Sequence, residues 1–348
     1  MKYFRWLTIF GITTSILLAN APKSSVNAAI TSKQVEGDKN KTYKNYKTYY
    51  AYNPPSELVT NLEKYEQNIS CYLPQKNSQL THYQIWLNRG VALQQQNKYR
   101  ESIICLDRAL SLQPDLKQAW YRRGIALSHL EQYSQAVFAY QQAIKINPQE
   151  HTAWYNQGNA YKHLGKYEQA IASFEQAIAL KTDFHVAHYQ LAKVFEKTGD
   201  FERAILAYQA ATDLEPEYDH AWYGLGRLLN KLARYDEAIS VYQDILKLNP
   251  EEHQAWYNLG NINLQLHDYE AAITAYEEAI TLKPNYHLAW NNRGVALEAL
   301  EETRAAIKSY SQALRVNPKY DKALNNRRRL LMLVSSSNPI LFNTANLR

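Results

Sequence analysis

Apolar and small residues recur with a period of 34 residues along most of this chain. The fourth position of six units is tryptophan, at Trp86, Trp120, Trp154, Trp222, Trp256 and Trp290. Six units close on proline, at Pro114, Pro148, Pro216, Pro250, Pro284 and Pro318, and only His188 and Thr182 interrupt these two series. The seven units begin at Tyr83, Lys117, His151, His185, Asp219, His253 and His287. Such a strict period predicts a stacked array of structural repeats.

Each unit contains two helical patterns. In the third unit, Trp154, Gly158 and Tyr161 follow the i, i+4, i+7 spacing of one helix face. Further apolar and small residues around Phe174 repeat that spacing for a second helix. Gly165 lies between the two patterns and suits the end of a helix. The sequence therefore predicts an all-α array of helix–turn–helix pairs, each of which needs its neighbours to bury its apolar face.

The spacing of Trp154, Gly158, Tyr161 and Phe174, with the closing proline of most units, resembles the tetratricopeptide repeat (TPR) family. The resemblance extends from Tyr83 to about Val334 and rests on seven repeats. It implies a right-handed superhelical solenoid whose concave groove binds proteins or peptides. It also implies that the first helix of each repeat lines the groove, with its fifth, ninth, twelfth and thirteenth positions reaching the ligand.

These positions provide a set of candidate groove residues. They are Tyr121, Tyr155, Asn159, Lys162, Tyr189, Lys193, Lys197, Tyr223, Arg227, Lys231 and Tyr257. Each tyrosine offers a ring and a hydroxyl to an extended peptide. In the three central repeats, five lysines and arginines stand against the single acid Glu196. Two interpretations remain open: the groove attracts an acidic or carboxylate-terminated segment, or these charges are solvated and neutralised by nearby glutamates.

The N-terminus has the pattern of a secretory signal peptide at residues 1–28. Lys2 and Arg5 precede an apolar run, Trp6–Ala19, and small residues follow at the expected cleavage site. An uncleaved membrane anchor is the alternative, but the run of 14 residues is shorter than the ~20 that span a bilayer. The pattern predicts an exported bacterial protein, in the periplasm or secreted, with membrane contact only if the signal is retained.

The remaining segments flank the repeats. Residues 29–55 are predicted to form a polar Tyr/Lys-rich linker. Interleaved aromatic and basic residues can bind single-stranded nucleic acid, but the predicted export of the protein argues against a nucleic-acid partner. Residues 56–82 predict an N-terminal capping helix and a linker. Residues 83–334 predict the repeats and a C-terminal capping helix, with Ala323 and Leu324 facing inward and Arg327–Arg329 outward. Residues 335–348 predict a flexible tail.

The sequence carries no recognisable catalytic motif. The six repeated tryptophans predict core packing. His151, His253 and His287 recur at the first position of their repeats, but equivalent positions of stacked helices lie about 9–10 Å apart, too far to share a metal ion without help. His185 and His188 share one helix face, but His188 occupies the position where tryptophan packs in the other repeats, so a structural role in packing is predicted for it. No metal site, cofactor or catalytic residue is therefore predicted. The chain is interpreted as a non-catalytic scaffold or assembly factor. The alternatives are an accessory subunit of a separate envelope enzyme and an envelope-polymer-binding module.

The two cysteines leave one structural question open. Cys71 and Cys105 are one period apart. If Cys71 belongs to a stacked half-repeat, its Cα lies about 9 Å from that of Cys105, beyond the reach of a disulfide. If the N-terminal segment folds back differently, the two can be bonded, as export would permit.

Overall fold

The computed structural model describes residues 81–337, which form fifteen α-helices and no strand. These residues belong to two compact units that divide between Lys166 and Tyr167. The predicted all-α, helix–turn–helix repeat class is confirmed. The predicted signal peptide, polar linker and N-terminal capping helix lie outside the described residues, as do Cys71 and residues 338–348.

The described part of unit 1 contains two helical pairs and one further first helix. Its helices are α1 (His82–Gln95), α2 (Tyr99–Leu112), α3 (Lys117–His129), α4 (Tyr133–Ile146) and α5 (His151–His163). Odd-numbered helices are the first helices of their repeats. Consecutive helices pack against one another around a core that includes Leu106, Leu127 and Tyr140. The 34-residue period thus corresponds to one antiparallel helix pair.

The described part of unit 2 begins with the second helix of the third repeat and ends with a single helix. Its helices are α6 (Tyr167–Leu180), α7 (His185–Thr198), α8 (Phe201–Leu214), α9 (Asp219–Lys231), α10 (Tyr235–Leu248), α11 (His253–Gln265), α12 (Tyr269–Leu282), α13 (His287–Ala299), α14 (Thr303–Val316) and α15 (Asp321–Ser337). Each helix packs against the next within the unit. From α7 onward, odd numbers again mark first helices.

The fifteenth position of every repeat adopts a left-handed backbone that ends the first helix. Gly165 and Gly199 occupy it in two repeats, with φ of 71° and 83°. The other five repeats place non-glycine residues there, with φ between 58° and 62°, at Asn97, Glu131, Ala233, His267 and Glu301. Only Gly165 was recognised from the sequence as suited to a helix end. The packing of the repeats therefore imposes the left-handed backbone at this turn even on residue types for which that conformation is unfavourable.

The tryptophan and proline series are joined by a hydrogen bond. In five repeats the indole Nε1 donates to the carbonyl oxygen of the proline six residues earlier, at 2.8–3.1 Å, beginning with Trp120 and Pro114. The bond holds the loop before each first helix against that helix. Of the six repeated tryptophans, Trp120 is fully buried and the other five are half-buried. Trp86, Trp256 and Trp290 pack against the core as partly buried side chains.

The two residues that interrupt the tryptophan and proline series contact each other. His188 replaces the tryptophan of the fourth repeat, and Thr182 replaces the proline six residues before it. The His188 ring is hydrogen-bonded to the main chain of Thr182, so the imidazole takes the place of the indole donor. Burial lowers the pKa of His188, and that hydrogen bond opposes the effect. The predicted structural role of His188 matches this position.

A glycine at the eighth position lets the second helix approach closely. A Cβ on Gly124 would lie 2.5 Å from the Tyr140 ring, and one on Gly260 would lie 2.7 Å from Tyr276. The fourth repeat has Ala192 instead of glycine. There the Tyr208 ring lies against Gly224 of the following repeat, where an added Cβ would be 2.5 Å away. A glycine in the next repeat thus provides the space next to the ring that Ala192 does not.

The terminal helix α15 differs from its prediction in two respects. It continues to Ser337, beyond the predicted end at Val334. Ala323 is buried as predicted, but Leu324 is exposed and Leu330 is the second buried anchor. The inward prediction for Leu324 was wrong because no further second helix follows α15 among the described residues to cover that side. Between residues 81 and 337, no helix is both long and apolar enough to span a membrane.

Candidate functional site

In unit 1, α3 contacts both α1 and α5, and in unit 2, α7 contacts α9 and α11 contacts α13, so equivalent positions of these neighbouring first helices share a surface. We call the surface formed by positions two, five, nine, twelve and thirteen of these helices the first-helix face. All eleven candidate groove residues lie on it. Tyr121, Tyr155, Asn159 and Lys162 belong to unit 1, on α3 and α5. The other seven belong to unit 2, on α7, α9 and α11, so the two sets are described separately.

In unit 1, hydrogen bonds to hydroxyl and amide oxygens connect the side chains of the first-helix face. The Tyr121 hydroxyl accepts a hydrogen bond from Asn156 Nδ2 of the next first helix at 3.0 Å. Its ring lies 6.1 Å from that of Tyr140. Lys162 Nζ donates to Asn159 Oδ1 at 3.2 Å, and Tyr155 is half-buried. The candidate residues of unit 1 thus include only one permanent cation, Lys162.

In unit 2 the repeated tyrosines are partly structural. Tyr189, Tyr223 and Tyr257 are half-buried, and each ring lies 5.9–6.2 Å from a tyrosine of the second helix of the same repeat. Burial and the adjacent Glu252 carboxylate raise the pKa of Tyr223. Each tyrosine therefore presents only part of its surface to a ligand, while the rest packs against the repeat.

Arg227 is engaged by a carboxylate from the neighbouring first helix. Both terminal nitrogens of its guanidinium donate to the Glu196 oxygens at 2.9 Å, and the Tyr208 hydroxyl donates to the same carboxylate at 3.2 Å. Burial opposes ionisation of Glu196, but Arg227 outweighs it and lowers the carboxyl pKa, with a further contribution from Lys231. Of the two interpretations left open by the sequence, neutralisation by a nearby glutamate therefore applies to Arg227.

The same three-residue arrangement recurs three repeats later. Arg329 on α15 donates to Glu298 on α13, and the Tyr310 hydroxyl donates to that carboxylate at 2.9 Å. In both cases a ninth-position arginine pairs with the twelfth-position glutamate of the preceding repeat. The recurrence indicates that this arrangement joins adjacent repeats. It leaves little net charge where it occurs.

Three lysines of the first-helix face of unit 2 have no ion-pair partner among the described residues: Lys193, Lys197 and Lys231. All three are exposed. Lys193 Nζ lies 5.3 Å from the centre of the Tyr189 ring, and Lys231 Nζ lies 4.9 Å from that of Phe201. These cation–π contacts orient the ammonium groups without removing their charge. The uncompensated positive charge of the face is therefore carried by lysine rather than by Arg227.

An aromatic cluster beside Lys193 was missed from the sequence. The Tyr218 ring packs edge-on against Tyr189 at 5.3 Å and against His220 at 5.6 Å. The His185 ring also contacts Tyr218, with the ring centres 5.0 Å apart. Tyrosine is the last residue of three repeats, at Tyr218, Tyr286 and Tyr320. This recurrence was the sequence feature from which the cluster could have been predicted. The cluster extends the apolar surface available next to the exposed ammonium group.

The described residues include no cluster of three or more metal-ligating side chains from histidine, cysteine, aspartate or glutamate. His185 and His188 make separate structural contacts, the first with Tyr218 and the second with Thr182. Cys105 is completely buried, and burial raises the pKa of its thiol to about 11. At neutral pH this thiol is protonated, and a buried thiol is a poor nucleophile. The groups that the first-helix face presents are ammonium groups, aromatic rings and amides.

Comparison with known protein families identifies the repeats. Models described as tetratricopeptide repeat match residues 83–116, 118–150, 151–184, 189–247, 231–287 and 287–325. Together these matches cover more than half of the chain. None of the curated proteins matches the sequence.

Several solved structures align with this chain. The C-terminal part of a TPR repeat-containing protein from Cytophaga hutchinsonii aligns with a TM-score of 0.62 at 18% identity, over 69% of this chain and 98% of that one. YrrB, described as a TPR protein with an unusual peptide-binding site, aligns at 0.46 and 21% identity, over 55% and 99%. MamA aligns at 0.44 and 21% identity, over 45% and 92%. At 18% identity, the likeness to the Cytophaga protein concerns the fold alone.

Proposed function

Because this chain belongs to the tetratricopeptide repeat family, whose members mediate protein–protein interaction, we propose that it is a non-catalytic scaffold that binds an acidic partner segment. The binding surface is the first-helix face of unit 2. The main support for this proposal is that Lys193, Lys197 and Lys231 are exposed on that face and have no carboxylate partner among residues 81–337. The exported location predicted from residues 1–28 is kept as part of this proposal.

Electrostatics support an acidic partner. Glu196, the acid at the twelfth position of the fourth repeat, is already bonded to Arg227 and Tyr208. Its negative charge is therefore offset by Arg227, and the three lysines remain as exposed positive charges of α7 and α9. Complementary charge across an interface steers association and favours the correct partner. A carboxylate-bearing segment suits this surface better than a basic one.

The aromatic rings supply the second part of the surface. Tyr189, Tyr218 and His220 form a cluster beside Lys193, and Tyr257 contacts Tyr286 at 4.9 Å. Rings held by packing lose little conformational entropy when a ligand contacts them. Such rings hold the stem or main chain of a segment while its carboxylates approach the ammonium groups.

A charge-reversal variant tests this proposal. The probe is a fluorescently labelled peptide rich in glutamate, and binding to the full chain is measured by anisotropy at low salt. Lys193→Glu/Lys197→Glu/Lys231→Glu is expected to weaken binding tenfold or more, because repulsion replaces attraction. Binding of the unmodified chain is expected to fall as salt is added, since screening shortens the range of exposed charges. Arg227 is left unchanged because its bonds to Glu196 join two repeats.

The matched control carries the same change in net charge elsewhere. Lys308→Glu/Arg315→Glu/Lys319→Glu alters exposed cations outside the first helices. This control should bind the glutamate peptide within about twofold of the unmodified chain. Equal loss of binding in both variants would show that only total charge matters, and no loss in the first-helix variant would refute the proposed surface. Circular dichroism checks that both variants remain helical.

A further inference from the structure

The first-helix face of unit 2 changes character along its length. Its first half, on α7 and α9, carries Lys193, Lys197 and Lys231 as exposed cations. On α11 the equivalent positions are Asn261, Leu264 and Gln265. On α13 the ninth and thirteenth positions are Val295 and Ala299, with Leu288 at the second. At these positions the cationic half is thus followed by an uncharged one. Lys283, in the loop before α13, is the nearby cation; its Nζ lies 5.1 Å from the centre of the Tyr286 ring and 3.1 Å from His253 Nε2, outside the positions that define the face.

Only one acid stands at the face positions of α11 and α13, and it is paired with a cation. Glu298, at the twelfth position of α13, is bonded to Arg329 and Tyr310, so its charge is offset by a neighbouring cation. Glu252 lies at the start of α11 and interacts with the Tyr223 hydroxyl, which marks the boundary between the halves. No ammonium group occupies the ninth or thirteenth position of α11 or α13.

Amides and apolar side chains form the surface of this second half. Asn292 Nδ2 donates to Asn261 Oδ1 at 2.9 Å and to the Tyr257 hydroxyl at 3.2 Å, which joins α13 to α11. Tyr276 also donates to Asn261 Oδ1, at 2.8 Å. The Asn261 oxygen is therefore held by two donors, which fixes its amide. Leu264 is half-buried against the cluster that contains Tyr276, and Val295 is half-buried against the cluster that contains Tyr310.

We propose that the partner segment is bipartite, acidic where it crosses α7 and α9 and uncharged and apolar where it crosses α11 and α13. This inference rests on the proposed function and specifies its partner. Four neighbouring first helices at about 10 Å spacing extend over ~30 Å. An extended chain covers that distance with about nine residues. The acidic and apolar blocks therefore lie within one short segment, each about half of it.

Peptides of identical composition test this arrangement. The grouped peptides carry all glutamates at one end and all valines and leucines at the other, in both chain directions. The alternated peptide interleaves the same residues. One direction of the grouped peptide is expected to bind the full chain at least tenfold more tightly than the alternated peptide. The reason is that only the grouped order places every carboxylate near a lysine and every apolar side chain near α11 and α13.

A gain-of-charge variant provides the matched comparison. Gln265→Lys/Ala299→Lys places cations at two exposed thirteenth positions of the uncharged half, where neither side chain is buried. The advantage of the grouped peptide should shrink at least fivefold in this variant, because the second half then also attracts carboxylates. Gln265→Ser/Ala299→Ser changes the same positions without charge and should leave the advantage intact.

The possible results separate the two proposals. Equal binding of grouped and alternated peptides, with loss of both in Lys193→Glu/Lys197→Glu/Lys231→Glu, would overturn the bipartite partner and leave the acidic-segment function standing. Binding of none of the peptides would overturn the proposed function and this inference together. A grouped advantage that persists unchanged in Gln265→Lys/Ala299→Lys would also overturn the bipartite arrangement.

Discussion

Trp120→Ala is expected to lower the free energy of unfolding by about 3–5 kcal/mol, the cost of removing a large side chain from a packed core. Trp120 is 1% exposed, and its ring packs edge-on against Phe138 at 5.9 Å. The Arg123 guanidinium lies 5.9 Å from the same ring. The indole also donates to Pro114 at 2.8 Å. Alanine would lose these contacts and leave a cavity between α3 and α4.

Trp222→Ala is the matched control, measured by urea unfolding followed by circular dichroism. Trp222 occupies the same repeat position and donates to the Pro216 carbonyl at 2.9 Å, but it is only half-buried. Its replacement should cost clearly less, at most about 3 kcal/mol. The comparison keeps the residue type and the hydrogen bond constant and varies the burial. Equal costs would show that the hydrogen bond, and not burial, governs the stability of this position.

Asp107→Ala is expected to destabilise unit 1 by about 3–5 kcal/mol, the cost of breaking a buried ion pair by removing one partner. Arg123 Nε donates to Asp107 Oδ1 at 2.7 Å, and the Arg123 side chain has 0% exposure. Alanine would leave a buried guanidinium without this carboxylate. Because the two residues lie on neighbouring repeats, the loss should appear as weakened coupling between α2 and α3 in hydrogen exchange.

Two variants separate charge burial from simple loss of contact. Glu277→Ala removes the equivalent carboxylate from Arg293, whose side chain is 21% exposed, and should cost about 1 kcal/mol or less because water can solvate the arginine. Asp107→Ala/Arg123→Met removes both charges and should recover much of the lost stability. No recovery in the double variant would mean that Asp107 acts through contacts other than this pair.

The periodic part of the fold could be predicted because each of the repeated tryptophans, prolines and glycines has the same structural role in every repeat where it occurs. Tryptophan and proline occur together since one donates a hydrogen bond to the other, and His188 and Thr182 change together for the same reason. Glycine recurs where the next helix leaves no room for a Cβ. A strict period with no insertion therefore places every helix in the described range.

Deviations from the period were harder to predict. Ala233 and Glu301 adopt a left-handed backbone that neither residue type favours. The Tyr208 ring uses the space beside Gly224, in a different repeat from Ala192. These features depend on contacts between repeats, whereas sequence patterns describe each repeat separately. Only the assembled structure shows which neighbouring repeat provides the space.

The electrostatics of the candidate site were predicted in outline and differ in detail. Counting residues placed Arg227 among five cations and treated Glu196 as a single opposing acid. The structure pairs these two, which leaves the lysines as the exposed charge of unit 2. The spacing of 31 residues between Glu196 and Arg227 recurs between Glu298 and Arg329. That recurrence was present in the sequence, but only side-chain geometry shows that it forms an ion pair.

Site-specific photo-crosslinking tests the central claim, which is that the first-helix face of unit 2 binds an acidic partner segment. A photoreactive residue is placed at exposed His220, beside Tyr189, or at Leu206 on α8, which is 64% exposed. The labelled glutamate-rich peptide is expected to crosslink at position 220 and not at 206. Excess unlabelled peptide should remove the adduct, whereas a glutamine counterpart should not. Equal crosslinking at both positions, or an adduct at 220 that survives Lys193→Glu/Lys197→Glu/Lys231→Glu, would contradict binding at this face.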